Sequence, residues 1–373
     1  MKKGFTALEL NYLIKELNSL ICAKVEKIYN PNKKELVINF YISGKGKKSL
    51  RVLIPDFIYL TQHKQEYPEK PSGFCLFLRR HLENTILKEI NQFGFERIVE
   101  FVFESKDNKL RLIFELFSKG NIVLCKDDHT IIMPLEVQSW SERTIKPKLR
   151  YIYPKKEFNF LELEEEDIQK VLKGSKKNLV KTLAIDLGLG GVYAEELCLM
   201  ANVNKNKEEV DDKDIKSLFK AAARLRDSEI KPSIVYESDE VIDIVPVELE
   251  FYKGFKKKQF ETYNDALDSV LTKVLVKQDK EQKLSKHQKQ IEKLKTIVEK
   301  QEQHVKRLEQ DIEDNTKKAE LIYKNYMLVD NILKEIRKAR EKYSLIEIKQ
   351  KLKGHKIVKD VKEKDKDIVL ELR

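Results

Sequence analysis

The spacing of apolar residues changes twice along the chain, and each change marks a different kind of structure. Behind a capping box formed by Thr6 and Glu9, Leu10, Ile14, Leu17 and Ile21 recur at helical spacing, which predicts an amphipathic helix from Thr6 to about Leu20. The strand-like runs ELVINFYIS and SLRVLIP follow, then a second helix over about 73–90, then NQFGFERIVEFVF, LRLIFELF, NIVLC and TIIMPLEV. Between the last two, Asp127 and Asp128 read as a hairpin turn. Residues 1–175 therefore predict an α+β unit, an antiparallel sheet flanked by helices.

Residues 176–235 change to short helical patterns around the glycine cluster in LAIDLGLGGVYAEELCLMANV and predict a small helical insert. Strand-like VIDIVPVELEFY then returns, so residues 236–264 are expected to complete the first unit. From about 265 to 342 apolar residues alternate spacings of three and four from Leu284 to Ile336, a heptad seam. No Pro or Gly falls between Gly254 and Gly354, and the seam alone would be about 80 Å long at ~1.5 Å per residue. Its polar positions His287, Gln301 and Asn315 are of the kind that set register and partner, and such a helix needs a second one beside it. Residues 343–373 suggest a short helix and two strands, and a hairpin ending at the terminus suggests a chain cut short of its returning helix.

One stretch interrupts this picture. If NQFGFERIVEFVF is extended throughout, Phe93, Phe95, Val99, Phe101 and Phe103 share a face, and Arg97 falls among them. A guanidinium buried there needs a carboxylate partner, or the position is open to solvent or ligand. A bulge at Gly94 would shift the phase and bring Arg97 to the surface. Structural and functional roles for Glu96 and Arg97 both stay open on these grounds, and Glu9 has a purely local use as a capping glutamate.

The chain of 373 residues suggests two or three units, and 36% charged residues requires some long, exposed and charged segment. Lys and Arg outnumber Asp and Glu by 73 to 62, a formal charge of +11 that favours a polyanionic partner. Cys22, Cys75, Cys125 and Cys198 lie far apart and form neither a CxxC pair nor a disulfide framework, as expected of a soluble protein in a reducing cytoplasm. Neither a signal peptide nor an apolar run of spanning length is present.

The candidate chemistry is that of nucleic-acid contact. Gly188 and Gly190 with Ala194 fit the hGhGxxxA pattern of a helix-hairpin-helix, whose backbone amides, that of Gly191 included, and helix N-terminus can hold a phosphate, and which can equally be a hairpin that only packs. A dinucleotide GxGxxG fits less well, because Tyr193 stands at the third glycine position. Basic clusters lie at Lys45, Lys47, Lys48 and Arg51, at Arg79 and Arg80, at Lys146, Lys148 and Arg150, and at Lys253 with Lys256, Lys257 and Lys258, some with tyrosines nearby for stacking. The six histidines show no metal-ligand spacing, and no GxSxG, GxxxxGK[ST] or kinase signature occurs, so neither cofactor, metal nor catalysis is expected.

The succession of GFTALELNYLIKELN, GFCLFLRRHLENTILKEINQFGFERIVEF, LGLGGVYAEEL and a long coil with a strand-rich tip resembles the NFACT family over nearly the whole chain. The resemblance implies an N-terminal domain like that of the MutM-type DNA glycosylases, a helix-hairpin-helix domain, an antiparallel two-helix coiled coil and a middle domain at its tip. It further implies binding to the large ribosomal subunit obstructed by peptidyl-tRNA, and recruitment of charged tRNA, alanyl-tRNA prominently, for template-free tailing of stalled chains. Some family members recruit a ubiquitin ligase; the ribosome performs the peptidyl transfer. The family's tRNA-recruiting acidic residue and Asp-Arg pair fall on Glu9, Glu96 and Arg97, with glutamate for aspartate at both acidic places. Two other readings stand beside this one: a glycosylase or lyase of the same fold, although Lys2 and Lys3 occupy the place of its N-terminal proline and no cysteine pair exists for its zinc finger, and a coiled-coil scaffold.

Overall fold

The computed structural model describes residues 2–63, 67–106, 108–154, 156–362 and 367–372; of the side chains at 278, 279, 282, 283 and 285–287, and hence of the seam position His287, nothing is described. The chain divides into two compact units, residues 1–277 and 278–373.

The first unit opens with α1 (Ala7–Leu17), capped by the reciprocal Thr6–Glu9 box that the sequence predicts. Strands β1 (Lys24–Tyr29), β2 (Glu35–Ile42), β3 (Gly46–Leu53) and β4 (Phe57–Thr61) follow, then α2 (Gly73–Leu82). Strands β5 (Ile86–Gln92), β6 (Ile98–Glu104), β7 (Lys109–Glu115), β8 (Asn121–Lys126) and β9 (Ile131–Pro134) complete a nine-stranded antiparallel sheet, ordered β4-β3-β2-β1-β5-β6-β7-β8-β9 among the described residues. A small ribbon pairs β10 (Gln138–Ser139) with β11 (Thr144–Ile145). The second predicted helix is shorter than its pattern suggests. It stops at Leu82, because Asn84 takes a left-handed φ of 70° and Ile86–Gln92 pairs with β6 instead.

The predicted helical insert, preceded by a helix α3 (Glu165–Gly174), carries the single turn α4 (Leu179–Lys181), α5 (Gly191–Ala201) and α6 (Asp212–Arg226). It is followed by β12 (Ser233–Glu237), β13 (Glu240–Val245) and β14 (Lys256–Gln259), a three-stranded sheet ordered β13-β12-β14. The strand β14, KKKQ, carries no apolar alternation, and its pairing with β12 is what makes it extended.

Two cores hold this unit. Leu10, Leu13 and Leu17 of α1 pack with Val25, Ile38, Leu50, Phe101 and Phe103 of the large sheet and with Tyr263 and Leu267. Leu8 and Tyr12, on another side of the same helix, pack with Phe95, with the insert and with Val235 and Val245. At ~25 cal/mol per Å² of apolar surface removed from water, α1 is the hub joining both cores. Glu16 extends that role: its carboxylate accepts from the amides of Tyr263 and Asn264 at 2.7 and 2.8 Å, the first turn of α7 (Tyr263–Lys324).

The second unit comprises the rest of α7, then α8 (Tyr326–Arg340), α9 (Leu345–Lys351) and the hairpin β15 (Val358–Lys362) and β16 (Asp367–Leu370). Ile332, Ile336, Val358 and Val361 form its small core. The seam is helical throughout except at Asn325, and its middle is bare, with Leu294 62% and Ile312 66% exposed. None of the described helices covers that stripe. No helix among the described residues is long and apolar enough to cross a membrane.

Candidate nucleic-acid interface

The phenylalanine stripe does not exist as a single face. The chain is extended up to Gln92 and again from Ile98, and residues 93–97 form a turn between β5 and β6 in which Gly94 has φ +52°. Three environments result: Val99, Phe101 and Phe103 enter the first core, Phe95 enters the second against Phe160, and Phe93 lies exposed on the ring of Tyr153, 3.7 Å between centroids. The turn is rigidly held. Glu96 donates its amide to the Phe93 carbonyl, while the Gln92 side chain donates to the carbonyls of Glu96 and Ala7 at 2.9 and 2.8 Å.

Arg97 leaves this turn half-buried and lightly tethered. Its Nη1 donates to the Phe5 carbonyl at 3.4 Å, and no carboxylate lies within ion-pair distance of it among the described residues. Burial lowers the affinity of its guanidinium for the proton, opposed by the more distant charges of Glu96 and Asp56. A guanidinium offers five donors, so most of this fork remains for a ligand. Glu96 pairs with Lys156 at 3.4 Å, and the same ammonium donates to the Phe95 carbonyl at 2.8 Å.

The glycine turn comes to the same place. Gly188 and Gly190 have φ +77° and +78°, and Gly190 is the N-cap of α5. A Cβ on Gly188 would collide with the Lys156 side chain, and one on Gly190 would sit 3.0 Å from Thr6 Cγ2. Both glycines are thus needed for close approach to the 93–97 turn and the start of α1. Gly191 is exposed and has open space where a Cβ would be. Because a glycine cap carries no side chain, no side-chain oxygen at that position accepts from the first-turn amides of α5.

Glu9 is placed differently from Glu96 and Arg97. Its carboxylate is 1% exposed, closes the capping box on the Thr6 amide at 2.8 Å, and accepts from Lys2 Nζ at 2.5 Å and from the Tyr193 hydroxyl at 3.0 Å. Lys2 also donates to Asp243 at 2.8 Å, and Asp243 accepts from the Tyr252 hydroxyl at 2.7 Å. Burial pushes the Glu9 carboxyl above its ordinary value, opposed by the Lys2 charge. Although burial also disfavours the Lys2 charge, the two carboxylates outweigh it and hold that ammonium above its usual 10.5. Glu9 therefore fixes α1, α5 and β13 to one another. Tyr193, the residue that spoils the dinucleotide fingerprint, is its buried hydrogen-bond donor.

The other basic candidates sit on separate elements. Arg79, in the last turn of α2, donates to the Ile28 carbonyl at 2.7 Å and lies over the Tyr29 ring, whereas Arg80 is exposed. Along β14, Lys256 pairs with Asp239 at 2.7 Å, Lys257 reaches Glu248 at 4.0 Å, and Lys258 lies over Phe260. Arg51, expected in a basic cluster, is buried against Glu35 at 3.3 Å, because its cross-strand partners Val37 and Tyr59 are themselves buried at that end of the sheet. Lys2, Lys156 and Asp243 carried no sequence signal, since their partners lie far away in the chain. Among the described residues no group of acidic, histidine or cysteine side chains could hold a metal.

Residues 6–368 match the family described as NFACT N-terminal and middle domains. The chain is 34% identical to the archaeal Rqc2 homolog aRqcH of Methanocaldococcus jannaschii, covering all of this chain and 59% of that one. It is 26% identical to the ribosome quality control complex subunit NEMF of Homo sapiens, covering 91% of this chain and 34% of that protein. It thus spans between about a third and three fifths of these relatives. Its fold is similar to that of the N-terminal part of a fibronectin/fibrinogen-binding protein from Streptococcus suis, with a TM-score of 0.60 at 23% identity over 72% of this chain and 100% of that one.

Proposed function

Because this chain belongs to the NFACT family, whose N-terminal and middle domains it matches over residues 6–368, we propose that it is a ribosome-associated quality control factor. In this reading it binds the large ribosomal subunit obstructed by peptidyl-tRNA and recruits a charged tRNA, alanyl-tRNA in the first instance, for template-free tailing of the stalled chain. The chain itself performs no covalent step; the ribosome transfers the peptide. The bare seam of α7 would pair with a returning helix as an antiparallel coiled coil, and α5 with its glycine turn would act as a helix-hairpin-helix.

The observation that carries the reading is Arg97. A half-buried guanidinium held by one long hydrogen bond keeps donors for a phosphate or a base edge, which supports a binding role over a purely structural one. The enzyme reading is less well supported, because Lys2 lies buried between two carboxylates and so ties down the N-terminal segment on which a glycosylase nucleophile would sit.

Arg97→Ala is expected to weaken binding of alanyl-tRNA by about 10- to 100-fold, the scale of a charge-assisted hydrogen bond worth ~1.5–3 kcal/mol. Its unfolding free energy should change by less than ~1 kcal/mol, since no ion pair is broken. Unchanged tRNA affinity, or a stability loss of several kcal/mol, would defeat the assignment.

A further inference from the structure

The solvent face of the strands β1 to β4 carries a second polar concavity, on elements other than those that present Arg97. The cleft holds about 810 Å³ and is lined by Lys27, Lys45, Lys47 and Lys48 against the single carboxylate of Glu26. Strand register explains why these residues meet. Lys27, Asn39, Ser49 and Thr61 are successive cross-strand partners, so alternation sends all four to one face as a polar row. Lys47 and Lys48 follow from the adjoining end of β3, and Lys45 from the turn before it.

The neutral part of the lining is as specific as the charge. Ser49 donates to the Asn39 side-chain oxygen at 2.9 Å, which orients the amide and leaves its NH2 without a hydrogen-bond partner among the described residues. At one wall Tyr67 stacks on Tyr29, 3.8 Å between centroids and 9° from parallel, and Arg79 lies over the Tyr29 ring. No other ring partner occupies Tyr67 among the described residues. The cleft thus offers cations for a phosphodiester, an oriented amide for a ribose or base edge, and a stiffened aromatic face for a base.

We propose that this sheet face is a second RNA-binding surface, which holds a single-stranded segment by its backbone with one base on Tyr67. An acidic peptide would use the lysines, but would leave the oriented amide and the aromatic wall unused. The combination of basic groove and stacking platform is what sequence-tolerant recognition of a single strand requires.

The test uses the full chain with a fluorescein-labelled 12-mer of oligouridine, and polyglutamate of the same charge as competitor. The variant Lys45→Gln/Lys47→Gln/Lys48→Gln should bind the oligomer at least tenfold more weakly. Its salt dependence should be shallower by about two in log–log slope, three lost phosphate contacts at about 0.7 each. Tyr67→Ala should lose about tenfold with the salt slope unchanged, as stacking releases no counterions. Arg97→Ala should leave oligouridine binding intact, so the outcome here is separable from that of tRNA recruitment. Unchanged affinity in the lysine variant, loss of binding in Arg97→Ala, or polyglutamate competing as well as unlabelled oligouridine would each overturn the proposal.

Discussion

Replacing Lys2 by Met keeps the aliphatic stem and removes the cation that sits between Glu9 and Asp243, at 2.5 and 2.8 Å. Two buried carboxylates then face each other without compensation. Breaking a buried pair by removing one partner costs ~3–5 kcal/mol. The protein can limit that cost by binding a proton: holding Glu9 as an acid at pH 7, when its ordinary value is 4.5, costs about 1.36 × 2.5, or ~3.4 kcal/mol. The expected destabilisation at pH 7 is therefore about 3 kcal/mol.

The sign of its pH dependence follows. In the variant the folded-state affinity of Glu9 for a proton is raised further above the unfolded one, so the penalty is complete above the folded value and fades as pH falls toward 4.5. Glu9 is already raised by burial in the native protein, which narrows that window; within it the gap between the two proteins should shrink by up to ~1.4 kcal/mol for each unit of acidification. At the alkaline end the native protein loses its advantage as pH rises past 10.5 through the raised value of Lys2, and the curves should converge. Urea unfolding followed by the single tryptophan, Trp140 in the first unit, gives the measurement. A gap below ~1 kcal/mol that does not move with pH would refute the reasoning, since an exposed surface pair gives that result.

Gly190→Val should lower stability by about 2–3 kcal/mol, combining a left-handed backbone with a Cβ 3.0 Å from Thr6, while Gly191→Ala one residue on should change it by less than ~0.5 kcal/mol; equal losses at both sites would contradict the docking described. In the native protein a thiol reagent should modify exposed Cys22 quickly and the other three cysteines slowly, because burial closes them off and pushes the Cys125 and Cys198 thiols up to about 12 and about 11. Two or more fast thiols would show that one of those interiors opens.

Legibility in the sequence followed the range of the interaction. The Thr6–Glu9 cap, the α1 stripe as far as Leu17, the Asp127–Asp128 turn and the heptad helix were readable, because each depends on residues within a few positions of one another, whereas Ile21 falls beyond α1 and is exposed. The environment of Arg97 was readable only as two alternatives, a buried face or a phase shift at Gly94; the glycine at φ +52° ends the alternation as the second requires, although Arg97 is half-buried rather than on the surface. The role of Glu9 was half readable: its local bond to Thr6 shows in the spacing, whereas Lys2, Tyr193 and Asp243 meet it only through the tertiary fold. Strand β14 lay beyond any pattern, since three consecutive lysines become a strand only when β12 supplies the hydrogen bonds.

The two carboxylates of α1 set a lower bound on how the chain can be divided. Glu9 is neutralised by a lysine that is itself anchored 241 positions away on Asp243, and Glu16 is satisfied by amides at Tyr263 and Asn264. During synthesis the first helix to emerge is thus among the last to be fixed, a high-contact-order closure that slows folding and leaves early intermediates open. A truncation after residue 175 or 235 would remove Asp243, Tyr263 and Asn264, which satisfy those acids, together with the part of each core that follows the cut. The smallest piece able to stand alone must run from Lys2 past the first turns of α7.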